Sequence, residues 1–153
     1  MREDARNFVA RDAMPPQIFA DEYLVAEKPQ AAAAMKTSGQ LKIIRTVYRR
    51  RDMERAQFRD YWLSVHSKLE EKVIATTDMQ RIVATFAIDE YREEPDFDGM
   101  AELYFNRIED IRAMFAGTVP AMMREDEENF VQMDAPAVRL VAEEYVIAEK
   151  GKT

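Results

Sequence analysis

The chain contains part of itself twice. Residues 1–28, MREDARNFVARDAMPPQIFADEYLVAEK, align without gaps on residues 123–150, MREDEENFVQMDAPAVRLVAEEYVIAEK, at an offset of 122 with 15 identities in 28 positions. A match of this quality comes from duplication, and its spacing is that of one small domain plus a connector. It divides the 153 residues into a segment at 1–28 that duplicates the end of a domain, a connector at 29–40 (PQAAAAMKTSGQ) marked by Pro and Ser-Gly, and one complete copy at 41–150. On this reading residues 1–28 are the closing helix and strand of an upstream copy. The alternative is an N-terminal arm, for instance a strand added to a sheet edge.

Within the complete copy, residues 41–49, LKIIRTVYR, are rich in β-branched and aromatic types and predict a strand. Ile43, Arg45, Val47 and Arg49 share one face, and Ile44, Thr46 and Tyr48 the other. A helix follows with Asp52 at its N-cap, and Phe58, Tyr61, Trp62, Val65 and Leu69 form its apolar stripe. Strands over 79–88 and 100–105 flank an acidic loop from Asp89 to Asp98 that ends at Gly99. Asn106 and Glu109 have capping-box spacing for a helix through Ala116, closed by Gly117. A further helix from Pro120 to Val131 and a strand over 138–148 complete the copy. The order β-α-β-β-α-α-β defines an α+β fold, the ferredoxin-like split βαβ plan with a four-stranded antiparallel sheet and one extra helix. Helices on one sheet face leave the other in need of a partner, so a homodimer through the sheet faces is expected. The strand 100–105 supports it, being apolar on both faces.

What the chain lacks narrows its chemistry. No cysteine is present, and only one histidine and four glycines. Disulfides, thiol nucleophiles, iron–sulfur clusters and thiolate zinc sites are excluded. A histidine metal cluster cannot be built inside one chain, no GxGxxG or Walker A loop occurs, and no EF-hand pattern supports a carboxylate cation site. No metal and no cofactor are expected. A net charge of −7 argues against nucleic acid or an anionic membrane as the main partner. The longest unbroken apolar run, Ala31 to Met35, is far short of a spanning helix, and Met1-Arg2-Glu3-Asp4 lacks the build of a signal peptide. The cytoplasm is the expected compartment.

Phe58, Tyr61-Trp62 and His66-Ser67-Lys68-Leu69 resemble the F-x-x-Y-W-x-x-x-H-x-x-L helix of the EthD family. Asp98-Gly99-Met100-Ala101-Glu102-Leu103-Tyr104-Phe105 is similar to its D-G-x-A-E-L-x-F strand, and Asp126-Glu127, Phe130 and Glu144 fit its tail. The resemblance runs over roughly residues 41–148. It implies a dimeric α/β barrel of two ferredoxin-like sheets packed face to face, formed by two chains or by a pseudo-dimer with an upstream copy. The same superfamily includes muconolactone and methylmuconolactone isomerases, polyketide cyclases and cofactor-free quinone-forming monooxygenases. The implied function is therefore cofactor-free isomerisation, cyclisation or oxidation of an aromatic or lactone-like molecule in catabolic or secondary metabolism. A fold does not by itself determine a reaction.

His66 is the one side chain whose ordinary titration range lies near neutrality. It falls roughly 80° around the helix from Phe58, on the shoulder of the stripe, where helix and sheet can enclose a pocket. The functional reading makes it the acid/base, with Tyr61 and Glu102 as further catalytic candidates and Trp62, Tyr48, Tyr104 and Phe58 as substrate-binding candidates. Each has a plainer reading: a packing histidine, core tyrosines and rings, and for Glu102 an ion pair with Arg45. Ser64 and Ser67 fall opposite the stripe, which argues against a serine nucleophile. The basic run from Lys42 to Arg59 is read as balancing the acidic loop. Two rivals to the enzyme stand: a non-catalytic ligand-binding or accessory protein of an oxygenase or degradation pathway, and a structural dimer with a filled core.

Overall fold

Alternating side chains along two central strands organise the molecule. The computed structural model describes residues 15–31, 38–88 and 94–151. In chain order the elements are β1 (Ala20–Glu27), β2 (Ser38–Val47), α1 (Arg55–Tyr61), a π-helical turn (Trp62–His66), α2 (Ser67–Thr76), β3 (Arg81–Ala87), β4 (Gly99–Phe105), α3 (Ile108–Ala116), α4 (Val119–Glu127) and β5 (Arg139–Tyr145). The strands form one five-stranded antiparallel sheet in the order β1-β3-β4-β2-β5. Four of them, β3-β4-β2-β5, come from residues 38–145. The fifth, β1, comes from the duplicated segment and adds to the β3 edge. The preceding residues of that segment, 1–14, lie outside the described residues, as do residues 32–37 of the connector and 89–93 of the acidic loop.

β2 and β4 pair from Leu41 opposite Phe105 to Val47 opposite Gly99. This register sends Ile43, Arg45, Val47, Ala101 and Leu103 toward the helices, and Lys42, Ile44, Glu102 and Tyr104 to the other face. A side chain at Gly99 would meet the Thr85 carbonyl oxygen at 2.8 Å, and the Phe58 ring already lies 3.4 Å from that point. Glycine lets α1 sit down on the sheet there. After α4 the chain turns back and bonds to the end of β2, Gln132 N–H donating to the Tyr48 carbonyl at 2.8 Å and Arg50 N–H to that of Phe130 at 2.9 Å. These bonds tie the residues that follow α4 to those that follow β2.

Several boundaries differ from the sequence reading, each for a local reason. α1 starts after Glu54, whose backbone N–H donates to Gln57 at 2.9 Å, while Asp52 is taken up by Arg50 at 2.6 Å and caps nothing. Asn106 and Glu109 make no capping box. Arg107 stands at the N-cap of α3, and its guanidinium holds Asp110 at 2.7 Å. Gly117 is the C-cap of α3, with φ of −92°. α4 ends at Glu127 because the next residues turn back, and β5 ends at Tyr145. β2 starts earlier than expected, with Gly39 at φ 71° where the pairing with β5 shifts register.

The larger departure is in the helix over β2. Residues 62–66 make a π-helical turn, which closes its hydrogen bonds one residue further along than an α-helix does. The buried line therefore runs Phe58, Trp62, His66, Glu70, Val73. Val65, expected in the stripe, is turned out and 47% exposed, while His66 moves from the shoulder to the buried line and is 2% exposed. Ser67, expected on the far side, is buried and donates to the Leu63 carbonyl at 2.8 Å.

Candidate active site

Between this helix, α4 and the sheet lies a cavity of about 270 Å³. Trp62, His66 and Glu70 line it from the helix, Ile43, Arg45 and Ala101 from the sheet, and Met123, Arg124, Glu127 and Arg139 around the rim. Its size is near the lower end of ligand pockets, suited to a compact molecule.

The polar groups of this cavity form one connected set. His66 Nδ1 lies 2.6 Å from Asp126 Oδ2, and the Tyr61 hydroxyl donates to the other oxygen of Asp126 at 3.0 Å. Asn129 adds a bond to the Asp126 carbonyl at 3.1 Å. An ionised Asp126 keeps the proton on Nδ1 and leaves Nε2 with its lone pair. On that side of the ring stands Glu70, 3.8 Å from Nε2, with Trp62 Nε1 donating to both of its oxygens at 3.2 Å. Burial pushes the Glu70 carboxyl up to about 8; the Trp62 bond opposes the rise, and Glu127 and Asp126 add to it. At neutral pH Glu70 is thus mostly a carboxylic acid beside an imidazole. Burial and then Asp126 push the Tyr61 phenol up, keeping it a donor. Arg45 grips both oxygens of Glu127 at 2.7 Å. Among the described residues no carboxylate lies within ion-pair distance of Arg124 or Arg139, and the Arg139 guanidinium sits 5.8 Å from the Phe115 ring centre.

The structure brings together His66, Tyr61 and Trp62 of the seven residues singled out in the sequence. Phe58 lies one turn before Trp62 in a cluster of rings, 5.7 Å from the Trp62 and Phe130 centres, and does not line the cavity. Tyr48 is half-buried past the end of β2 and also off the cavity. Glu102 and Tyr104 are on the opposite sheet face. The expected pairing of Glu102 with Arg45 is not made, because alternation along β2 puts Arg45 on the helix side; Lys42 binds Glu102 instead at 2.5 Å. Of the basic run, Arg49 and Arg55 do meet Asp98 of the acidic loop, at 3.1 and 3.6 Å. Asp126, Glu70 and the rim arginines were not among the sequence candidates. Glu70 had a legible signal, lying four residues after His66 on the same helix. Asp126, 60 residues from its histidine, had none beyond its place in the tail motif.

Among the described residues no cluster of three or more metal-ligating side chains is placed to hold an ion, and no helix is long and apolar enough to cross a membrane. The architecture is that of a ferredoxin-like α+β protein, and a solved structure shares it: a dimeric protein of unknown function and ferredoxin-like fold from Bacteroides fragilis NCTC 9343. The two superpose with a TM-score of 0.52 at 11% identity, over 71% of this chain and 99% of that one. The model of the EthD domain matches residues 50–134, the stretch that carries α1, His66, β4 and Asp126, and the chain belongs to the EthD domain family. No curated protein matches its sequence.

Proposed function

We propose that this EthD domain protein is a small enzyme that isomerises or cyclises a compact aromatic or lactone-like substrate by moving a proton, with no bound cofactor. The observation that carries the reading is the pair of groups at one wall of the cavity: His66, oriented by Asp126, and Glu70, kept protonated by burial. A buried carboxylic acid beside an oriented imidazole is a pair suited to acid/base chemistry. His66 Nε2 takes the proton from the substrate. Glu70 supplies one to the oxygen on which charge develops, and Trp62 bounds the apolar part of the site. Tyr61 acts through Asp126 as a positioning residue. Arg124 and Arg139 at the rim suit a substrate that carries a carboxylate.

The same cavity also fits a carrier or accessory role, and one experiment separates the two. Trp62 is the sole tryptophan of the chain, so its fluorescence reports the cavity directly. A panel of aromatic acids and lactones is expected to include ligands that change this emission saturably. His66→Gln should keep that binding and lose turnover of the same compounds. Ligands bound by the wild-type chain without any turnover would favour the carrier. A flat response across the panel would defeat both.

A further inference from the structure

β2 and β5 set two arginines side by side. Arg45 stands directly opposite Arg139 in the register of the two strands, and like charges in that position repel. Alternation turns both toward the helices, where Arg124 of α4 joins them at the mouth of the cavity. One carboxylate, Glu127, answers the three, and Arg45 holds both of its oxygens at 2.7 Å. Burial pushes the Arg139 guanidinium below its usual range; Arg45 and Arg124 add to the fall and Glu127 opposes it. Arg49, Arg50, Arg81 and Arg107, by contrast, each hold an aspartate or glutamate. Arg124 and Arg139 have no such partner among the described residues. On a chain with a net charge of −7, this mouth is a local excess of positive charge beside an apolar cavity.

The helix that carries Arg124 is tied down at one end. α4 buries no residue completely, and Val119 and Met123 are partly buried against the core. Among the described residues, its side-chain hydrogen bonds to other elements all come from Asp126 and Glu127, in its last turn. The earlier turns lie over the cavity with no polar tie to the sheet. Arg124 belongs to α4 and Arg139 to the sheet, so one anion held by both would supply that tie.

We propose that Arg124 and Arg139 are a carboxylate clamp: an acid group on the substrate bridges α4 to β5, selects anionic ligands and fastens α4 over the cavity. The clamp rests on the cavity being the substrate site. The planar forks of two guanidinium groups match a carboxylate, and the apolar body of a compact acid then lies inward against Trp62 and Ile43, with its far side toward His66. Fastening α4 also steadies Asp126 against His66, because Asp126 rides on the same helix. The acid group thus acts twice, holding the substrate and fixing the group that orients the base.

Matched probes test the clamp: benzoate against benzamide, phenylacetate against phenylacetamide, and a γ-butyrolactone acetic acid against its methyl ester. Binding to the full chain is read by Trp62 fluorescence, and the state of α4 by hydrogen exchange of its backbone amides. In the wild type an acid should bind roughly tenfold more tightly than its neutral partner, and the preference should shrink as sodium chloride is added. Arg124→Met and Arg139→Met should each bring the acid down toward the affinity of its neutral partner. Arg112→Met, at an exposed position of α3, should leave the preference intact. Amides of residues 119–125 should exchange more slowly with an acid bound than with its neutral partner bound, and that difference should vanish in Arg139→Met. Equal binding of acids and neutral partners by the wild type, or a preference that survives both substitutions, would overturn the clamp while the cavity keeps its ligands. Selection without slowed exchange in α4 would refute the fastening. If no probe of either kind binds, the cavity is not the site, and the clamp falls together with the proposed function.

Discussion

Each face of the sheet buries a set of ionisable side chains, and the two are balanced in opposite ways. Away from the helices, Lys42 lies between Glu102 at 2.5 Å and Glu144 at 2.6 Å. Burial alone would lower the ammonium, but the two carboxylates raise it above its usual range, while burial and then Glu102 push the Tyr104 phenol up to about 12. Lys42 and Tyr104 each keep one charge state throughout ordinary pH. On the helix side no Lys or Arg among the described residues is ion-paired with Glu70, and burial pushes its carboxyl up to about 8. Glu102 and Glu70 are buried alike, 6% and 2% exposed. The partner decides which is a fixed ion pair and which can exchange a proton.

The contrast can be broken most forcefully at Lys42. Lys42→Met leaves Glu102 buried without its cation and should cost about 3–5 kcal/mol, measured by urea unfolding, while the ligand response of Trp62 survives in the folded fraction. Adding Glu102→Gln should return much of that loss. On the other face His66→Gln should lower turnover by roughly 10²–10⁴-fold with little change in the unfolding midpoint. If instead stability collapses and turnover per folded molecule holds, the histidine is a packing group.

Glu70 sharpens the comparison through pH. Its folded-state carboxyl titrates near 8 against an ordinary value of 4.5, so its contribution to stability is complete below pH 4.5. That contribution is lost as the pH rises toward 8, by at most about 1.4 kcal/mol per pH unit. Glu70→Gln should flatten this part of the stability profile, and Lys42→Met should not. Turnover by the wild type should decline above pH 8 as the acid ionises. The smallest effect is expected from Tyr61→Phe, which removes one bond to Asp126 and should cost about 1 kcal/mol. Its specific signature is a change in kcat greater than that in KM, since the hydroxyl lines up the His66–Asp126 pair and touches no substrate.

The order of elements and the faces of β2 and β4 were legible because both follow from local alternation. So was the place of His66 on the helix over β2, through its motif. Less was legible where distant residues meet. Nothing in the spacing of residues 61–70 reveals that Asp126 returns to them, and the Glu102 partner was misread although the alternation already separated it from Arg45. Caps were the weakest signal: Asp52, Asn106 and Glu109 have suitable types, and neighbouring arginines or glutamates took the positions. The stripe was read on an α-helical wheel, and a single wide turn was enough to exchange Val65 for His66.

That wide turn also bears on length. A π-helical turn behaves as an α-helix with one residue inserted, so a regular helix of the present length would rotate α2 against α1 by roughly 100°. Phe58 is seated over Gly99 and Val73 is fully buried, and such a helix could satisfy only one of them. The wide turn absorbs the extra residue and lets both anchors keep their seats. Substitutions on its exposed side, at Ser64 or Val65, should pass unnoticed, and deleting one of those two residues should return the stretch to regular helix with both anchors still seated.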